Sequence, residues 1–218
     1  MKSLGKSFLN RVLASVCCVS LCGCVASKKD LSVKPAIKSE VKEIAELMNT
    51  SKVLYTNEQI QKAINKIANE MNAKFKGENP IIVCTLKGAL PFFGQLLTKL
   101  DFDLQVDCLY ISSFKGKERE KLKWGTKPNI NCSGRVVILV DDILDTGKTL
   151  ELLVDFYKKN GAKKVYTAVL LDKKCGEKKN GLKKADFVGI EAKNVFVIGF
   201  GLDYHDYCRN FSDIYEVK

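Results

Sequence analysis

The sequence predicts an α/β fold, a twisted and mainly parallel sheet with helices on its faces. Apolar, β-branched stretches typical of buried strands occur at residues 81–86, 136–140 and 165–171, and helical patterns separate them. Strands that alternate with helices are joined by right-handed crossovers and form a parallel sheet. A hydrophobic fraction of 46% and a charged fraction of 28% fit a globular domain with a real core.

The first 34 residues differ from the rest of the chain. A basic segment precedes an uncharged apolar stretch at residues 12–25, which is short for a transmembrane helix. Residues 21–24, Leu-Cys-Gly-Cys, resemble a bacterial lipoprotein box in which Cys24 is lipidated. Either the segment is a signal that leads to a membrane anchor, or it is an extension without a sorting role. We therefore expect a signal-like, poorly ordered leader at 1–34 and one folded domain at 35–218.

The cysteines and the charge restrict the class of protein. Four of the nine cysteines lie in the leader, and the other five are scattered without any CxxC pair. This pattern indicates neither a zinc site nor a disulfide framework. The net charge of +11 suits a nucleic acid, an anionic membrane surface or a polyphosphorylated small substrate as partner.

The elements before the centre of the chain follow from apolar spacing. Residues 36–48 carry a weak helical pattern, and Asn57 is expected to cap a helix with an apolar stripe. A buried strand at 81–86, a helix at 91–100 and a strand at 104–113 follow.

Residues 114–134 have hardly any apolar pattern. A loop of this length in a compact domain indicates either disorder or an active-site lid, and we favour the lid. Lys121, Lys123 and Trp124 would suit a lid that covers phosphates. Beyond a central helix that stops at Gly161, further strands are expected at 165–171, 186–190 and 195–204.

The most informative stretch is residues 136–149, where a buried strand ends in Asp141 and Asp142. Asp145 follows and opens a loop at residues 145–149, Asp-Thr-Gly-Lys-Thr, called the phosphate loop below. Ligands bind at this edge of α/β sheets, and free N–H groups at a helix start hold anions. A P-loop is excluded because Asp142 stands where it needs glycine, and no GxGxxG is present. Carboxylates beside a phosphate need sugar hydroxyls or a divalent metal, so the stretch predicts a ribose phosphate ligand with Mg2+.

Residues 140–149 resemble the phosphoribosyl diphosphate signature of type I phosphoribosyltransferases. Further segments resemble hypoxanthine-guanine phosphoribosyltransferases, in order along the chain from about residue 53 onwards: residues 86–89, 112–114, 170–173, 196–204 and 209–210. The resemblance implies the type I phosphoribosyltransferase fold, with a small hood and a long mobile loop that begins at Ser113 and Phe114. Relatives usually have Ser-Tyr at that place and often Glu-Asp in place of Asp141 and Asp142.

The resemblance also implies a role for each matching residue. The ribose and phosphate would be bound by Asp141, Asp142, Asp145, Thr146, Gly147, Lys148 and Thr149. The pyrophosphate would be bound by Lys87, Gly88 and Arg209, with a non-proline cis peptide before Lys87. The purine would be bound by Lys173, Phe196 and Val197. Mg2+ would be bound by Asp203, Asp141 and Asp142, and Asp145 would accept the proton at N7 of the purine.

The implied activity is Mg2+-dependent transfer of the phosphoribosyl group of phosphoribosyl diphosphate to N9 of hypoxanthine or guanine. We expect a cytoplasmic homodimer or homotetramer of purine salvage that binds these small molecules and no nucleic acid, and a membrane only if Cys24 is lipidated. A phosphoribosyl diphosphate-sensing regulator on the same fold and a lipid-anchored protein of unknown role are the alternatives. Individual residues also have plainer interpretations: Asp145 as a helix cap, Lys173 as a surface lysine and Phe196 as a core residue. His205, the only histidine, has no assigned role.

Overall fold

The computed structural model describes residues 35–112, 123–174 and 181–217. The predicted leader, Ser113 and Phe114 lie outside the described residues, so the expectations for them stay predictions. No helix in the described ranges is long and apolar enough to cross a membrane.

Four helices and nine strands make up the described chain. In order they are α1 Pro35–Thr50, β1 Lys52–Tyr55, α2 Asn57–Phe75, β2 Ile81–Leu86, α3 Leu90–Leu97, β3 Gln105–Ser112, β4 Lys123–Thr126, β5 Val136–Leu144, α4 Lys148–Lys159, β6 Lys164–Lys173, β7 Phe187–Ala192, β8 Phe196–Ile198 and β9 Ile214–Val217. The contacts divide the chain into two units, Met1–Lys52 with Glu216–Lys218 and Val53–Tyr215. α1 lies in the first unit. The predicted domain boundary after residue 34 remains a prediction.

A six-stranded sheet forms the second unit's centre, in the order β4-β3-β2-β5-β6-β7. Its strands are parallel except for β4, which pairs antiparallel with β3. A three-stranded sheet in the order β1-β9-β8 corresponds to the expected small hood. The predicted α/β class with a mainly parallel sheet is therefore confirmed.

Two apolar layers cover the faces of the large sheet. On one face the stripe of α2, with Ile60, Ile64 and Ile67 fully buried, packs in one cluster with α3. On the other face α4 buries Leu153 and Tyr157. A helix stripe of this kind is stabilised mainly by the apolar surface that it removes from water. The start of α2 differs by one residue from the prediction: Thr56, not Asn57, is the N-cap, and it forms a capping box with Gln59.

Three other predicted elements need correction. The helix expected at 91–100 is α3, which already ends at Leu97. The stretch expected to be a lid contains β4, and the Trp124 ring lies 4.9 Å from the Phe156 ring, so Trp124 packs on α4 instead of covering phosphates. The strand expected at 195–204 ends at Ile198, because Gly199 and Gly201 follow with φ of 97° and 98°. That backbone conformation favours glycine and ends a strand.

Candidate active site

The C-terminal ends of β2 and β5 border a cleft of about 270 Å³. Its lining residues come from these strand ends, from β3 and from the start of α4: Thr85, Leu86, Gly88, Ile111, Asp141, Asp142, Ile143, Leu144, Asp145, Thr146, Gly147, Thr149 and Leu150. The cleft therefore lies at the sheet edge where open α/β folds bind ligands.

Two adjacent carboxylates form one wall of the cleft. The Thr85 hydroxyl lies 2.9 Å from the carbonyl of Val140 and 2.5 Å from Asp141 Oδ1, which also accepts from Asp142 N at 3.0 Å. Burial raises the pKa of Asp141. Burial and the neighbouring charge of Asp141 raise the pKa of Asp142 well above the usual carboxyl range. In the described part of the chain neither carboxylate forms an ion pair, so the wall suits a cation or sugar hydroxyls.

The phosphate loop also lines the cleft, and its conformation depends on Gly147. This residue is the N-cap of α4 with φ of 77°, and a Cβ here would overlap the backbone of Leu182. The Leu182 N–H donates to the Gly147 carbonyl at 3.0 Å, so the segment before β7 contacts the phosphate loop and stabilises its conformation. Thr146 and Thr149 line the cleft at the positive end of α4, which is suited to an anion. Lys148 is exposed and is not among the lining residues.

Asp145 lies beside a buried cation. Leu144 pairs with Asp172 in the register of β5 and β6, so the next residues, Asp145 and Lys173, are neighbours. Lys173 Nζ is 3.7 Å from Asp145 Oδ2. Only 8% of Lys173 is exposed, so its interpretation as a surface lysine is wrong. Gly147, not Asp145, occupies the N-cap position of α4, so the interpretation of Asp145 as the N-cap residue is wrong as well.

Phe196 and Val197 begin β8 and face different surroundings. Phe196 is 51% exposed, so its interpretation as a core residue is wrong, whereas Val197 is buried. The Phe196 ring meets Tyr204 edge to face, with centroids 6.2 Å apart. Neither residue is among those that line the cleft.

Lys87 and Arg209, called the cation pair below, come from distant parts of the chain. The predicted cis peptide before Lys87 is present between Leu86 and Lys87. Lys87 Nζ lies 3.1 Å from Asp206 Oδ1, and Arg209 Nη2 lies 2.9 Å from the same oxygen. Arg209 Nη2 is also 2.8 Å from Asp203 Oδ1, and Arg209 Nη1 donates to the Gly201 carbonyl at 2.7 Å.

Close packing at two glycines brings the segments that carry the cation pair near the carboxylate of Asp142. A Cβ at Gly88 would overlap the carboxylate of Asp142, and a Cβ at Gly201 would overlap the carbonyl of Gly88. The turn after β2 is thus packed between Asp142 on one side and the chain before Asp203 on the other. Larger residues at either glycine would force these groups apart.

Comparison with known proteins identifies the family. The phosphoribosyl transferase domain family matches residues 50–205. The chain belongs to the phosphoribosyltransferase family. Hypoxanthine-guanine phosphoribosyltransferase of Bacillus subtilis is 35% identical over 169 residues, which cover 77% of this phosphoribosyltransferase and 93% of that protein.

Two further relatives extend the comparison. The bifunctional protein TilS/HprT of Listeria innocua is 38% identical over 161 residues, or 73% of this chain, but the chain spans only 24% of that protein's length. A solved hypoxanthine-guanine-xanthine phosphoribosyltransferase superposes with a TM-score of 0.70 at 33% identity, covering 77% of this chain and 96% of that one. The resemblance predicted from the sequence, and the type I phosphoribosyltransferase fold that it implied, are confirmed.

One residue of this phosphoribosyltransferase site was missed by the sequence analysis. Asp206 contacts both members of the cation pair, and hydrogen bonds from Arg209 and then from Lys87 hold its pKa below the usual carboxyl value. The only signal in the sequence was its place three residues before Arg209, which did not distinguish it from any exposed acid.

Proposed function

We propose that this phosphoribosyltransferase transfers the phosphoribosyl group of phosphoribosyl diphosphate to N9 of hypoxanthine or guanine, yielding IMP or GMP and pyrophosphate. The observation that carries the proposal is the buried Lys173 ammonium 3.7 Å from the Asp145 carboxylate, next to the phosphate loop. A 6-oxopurine offers a carbonyl acceptor at O6 and, when N7 carries a proton, an N–H donor at N7 on the same edge. A fixed cation and a carboxylate side by side match that edge, and the names of the relatives agree with it.

The phosphate loop and the carboxylates of Asp141 and Asp142 would bind the sugar phosphate. The 5′-phosphate would accept hydrogen bonds from backbone N–H groups at the start of α4 and from the Thr146 and Thr149 hydroxyls. Asp141 and Asp142 would accept hydrogen bonds from the ribose hydroxyls. Burial and the charge of Asp141 raise the pKa of Asp142, and a positive charge that arrives beside it would lower that pKa and favour the charged carboxylate.

The donor set fits Mg2+, which we propose as the cofactor. Mg2+ is commonly held by one or two carboxylates together with substrate phosphates and water. Asp141 and Asp142 provide two such carboxylates in the cleft. Asp203, which we propose as a further ligand, pairs with Arg209 outside the lining of the cleft, and no group of three potential metal ligands occurs within the described ranges. When bound, the ion would neutralise negative charge on the departing pyrophosphate.

The protein's own groups would act on both sides of the reacting carbon. The cation pair would stabilise the pyrophosphate as it leaves C1′ of the ribose, where negative charge develops. Asp145 would accept the proton from N7 as N9 forms its new bond, and Lys173 would hold O6 so that this edge faces Asp145. Phe196, exposed at the start of β8, would stack on the purine, and Val197 would bind it through its backbone.

Several finer features belong to the same proposal. We expect a homodimer or homotetramer in the cytoplasm, where phosphoribosyl diphosphate is available, and no nucleic acid partner. A lipid anchor at Cys24 is the competing location. Cell fractionation of the native chain and a Cys24→Ser variant tests it: the cytoplasmic proposal expects soluble protein for both, and a cysteine-dependent membrane pool would overturn it.

The decisive experiment compares initial rates of pyrophosphate release with hypoxanthine, guanine, xanthine and adenine, with and without Mg2+. We expect turnover with hypoxanthine or guanine, none with adenine, and dependence on Mg2+. Lys173→Met should raise KM for hypoxanthine by about tenfold or more but leave KM for phosphoribosyl diphosphate unchanged, because a buried hydrogen bond from a charged donor is lost.

Lys174→Met is the matched control, because Lys174 is the exposed neighbour and pairs with Glu191. Absence of turnover with every base would favour the phosphoribosyl diphosphate-sensing regulator, which needs the phosphate loop but no purine site.

A further inference from the structure

The two cations expected to bind pyrophosphate already share an anion of the protein itself. Asp206 Oδ1 lies 3.1 Å from Lys87 Nζ and 2.9 Å from Arg209 Nη2. Lys87 belongs to the turn after β2, whereas Asp206 and Arg209 lie far along the chain, ahead of β9. One carboxylate oxygen therefore contacts cations from two segments that are far apart along the chain.

The backbone is shaped to present this carboxylate. Tyr204 and Tyr207 exchange two backbone hydrogen bonds of 3.2 and 2.9 Å, which close a two-residue turn. Its central residues, His205 and Asp206, have φ of 49° and 66°. Both values are those of a type I′ turn, where Asn-Gly is the usual pair. The Asp206 N–H donates to Asp203 Oδ2 at 2.9 Å, which fixes the turn.

We propose that Asp206 is a positioning residue that stands in for pyrophosphate, holding Lys87 and Arg209 together until phosphate oxygens replace its carboxylate. The inference rests on the proposed function, in which this cation pair binds the leaving group. Carboxylate and phosphate oxygens accept hydrogen bonds from the same N–H donors, so they compete for the cation pair. A diphosphate carries more charge and more acceptor oxygens than one carboxylate, so it displaces Asp206.

The exposure of the groups makes this exchange possible. The Asp206 side chain is 64% exposed and can turn into water without burying its charge. Arg209 is only 26% exposed and keeps its contacts with Asp203 and the Gly201 carbonyl when Asp206 leaves. Lys87, 53% exposed, is then free to follow the incoming anion. When pyrophosphate departs, the carboxylate returns and closes the cation pair again.

The direction in which pyrophosphate affinity changes when Asp206 loses its charge separates this role from a purely structural one. If Asp206 competes with the ligand, removal of its charge should tighten pyrophosphate binding. If Asp206 only holds the cations in place, the same change should weaken binding. Because exposed ion pairs are weak, we expect Asp206→Asn to bind inorganic pyrophosphate roughly threefold to tenfold more tightly.

The test is calorimetric titration of the full chain with inorganic pyrophosphate and Mg2+, together with initial rates. Asp206→Asn should lower both Kd for pyrophosphate and KM for phosphoribosyl diphosphate, with KM for hypoxanthine unchanged. Asp206→Gly, which suits the positive φ, should do the same. Asp101→Asn removes an equal charge at an exposed position ahead of β3 and should change neither constant.

Unchanged or weaker pyrophosphate binding by both Asp206 variants would overturn the inference. Failure of the proposed function looks different, because the native protein would then turn over no purine base. The titration would still report whether Asp206 competes with pyrophosphate for the cation pair.

Discussion

Replacement of Asp145 by asparagine removes the proposed proton acceptor and leaves the helix start intact. Gly147, not Asp145, is the N-cap residue of α4, so the substitution leaves the N-cap position unchanged. The substitution also removes the ion pair with Lys173, whose Nζ is 3.7 Å away. Because Asp145 is 51% exposed, solvent screens this pair, and its loss should cost about 1 kcal/mol or less.

The expected loss of activity is larger than this structural cost. General base catalysis contributes about 10²-fold to 10⁴-fold, and each factor of ten corresponds to about 1.4 kcal/mol of activation free energy. Asp145→Asn should therefore lower kcat by about 10²-fold or more, or about 2.7 kcal/mol. Asparagine can still accept a hydrogen bond from Lys173 but cannot take a proton at neutral pH.

The assay is the initial rate of pyrophosphate release with saturating hypoxanthine, alongside thermal unfolding of the same samples. Asp155→Asn, an exposed change on α4, is the control and should retain full activity. Binding of phosphoribosyl diphosphate to Asp145→Asn should stay close to that of the native chain. Undiminished turnover would refute the base role, and a loss of stability as large as the loss of rate would show that the ion pair is structural.

Three other substitutions test the packing and the charge of the site. Gly88→Ala should lower kcat/KM by about 10²-fold, because a Cβ there overlaps the Asp142 carboxylate and misplaces it; unaltered kinetics would contradict the observed contact. The raised pKa of Asp142 means that the folded protein keeps a proton which the unfolded chain releases above about pH 4, so the native chain loses stability as the pH rises to that raised pKa. Asp142→Asn should therefore gain stability relative to the native chain with rising pH in chelator, and a difference in unfolding free energy that stays constant with pH would rule this out. Ile64→Ala should cost about 2–5 kcal/mol in urea unfolding because Ile64 is fully buried, whereas Asn65→Ala on the exposed face of α2 should change little.

The sequence predicted the parts of the site that lie close together along the chain. The strand, the acid pair and the phosphate loop occupy residues 136–149, so hydrophobic pattern and loop chemistry indicated both the fold and the anion. Hydrophobic pattern and loop chemistry could not predict that Lys173 is buried. It follows from the register of β5 and β6, which places Leu144 opposite Asp172. In the sequence Lys173 is only one lysine among several neighbouring ones.

Longer-range contacts account for the remaining differences. Apolar alternation predicted a strand through residues 195–204, but positive φ values at Gly199 and Gly201 end it and turn the chain towards Gly88. Trp124 was assigned to a lid because the long stretch around it has hardly any apolar pattern. Its aromatic partner Phe156, on α4, lies over thirty residues further along the chain. Asp206 matters because it contacts Lys87, which lies in the turn after β2. No local sequence pattern indicates a contact between residues so far apart along the chain.

The pairing of β3 with β4 has a consequence for how the stretch between them can vary. Ser112 and Lys123 are partners in the antiparallel register, so the end of β3 and the start of β4 lie opposite each other in the sheet. The sheet therefore closes this loop, and the entropy of closure grows only logarithmically with its length. Doubling the number of residues between the two strands should cost the folded state about 0.6 kcal/mol. Insertions and deletions between the two strands should thus be tolerated while β3 and β4 keep their pairing.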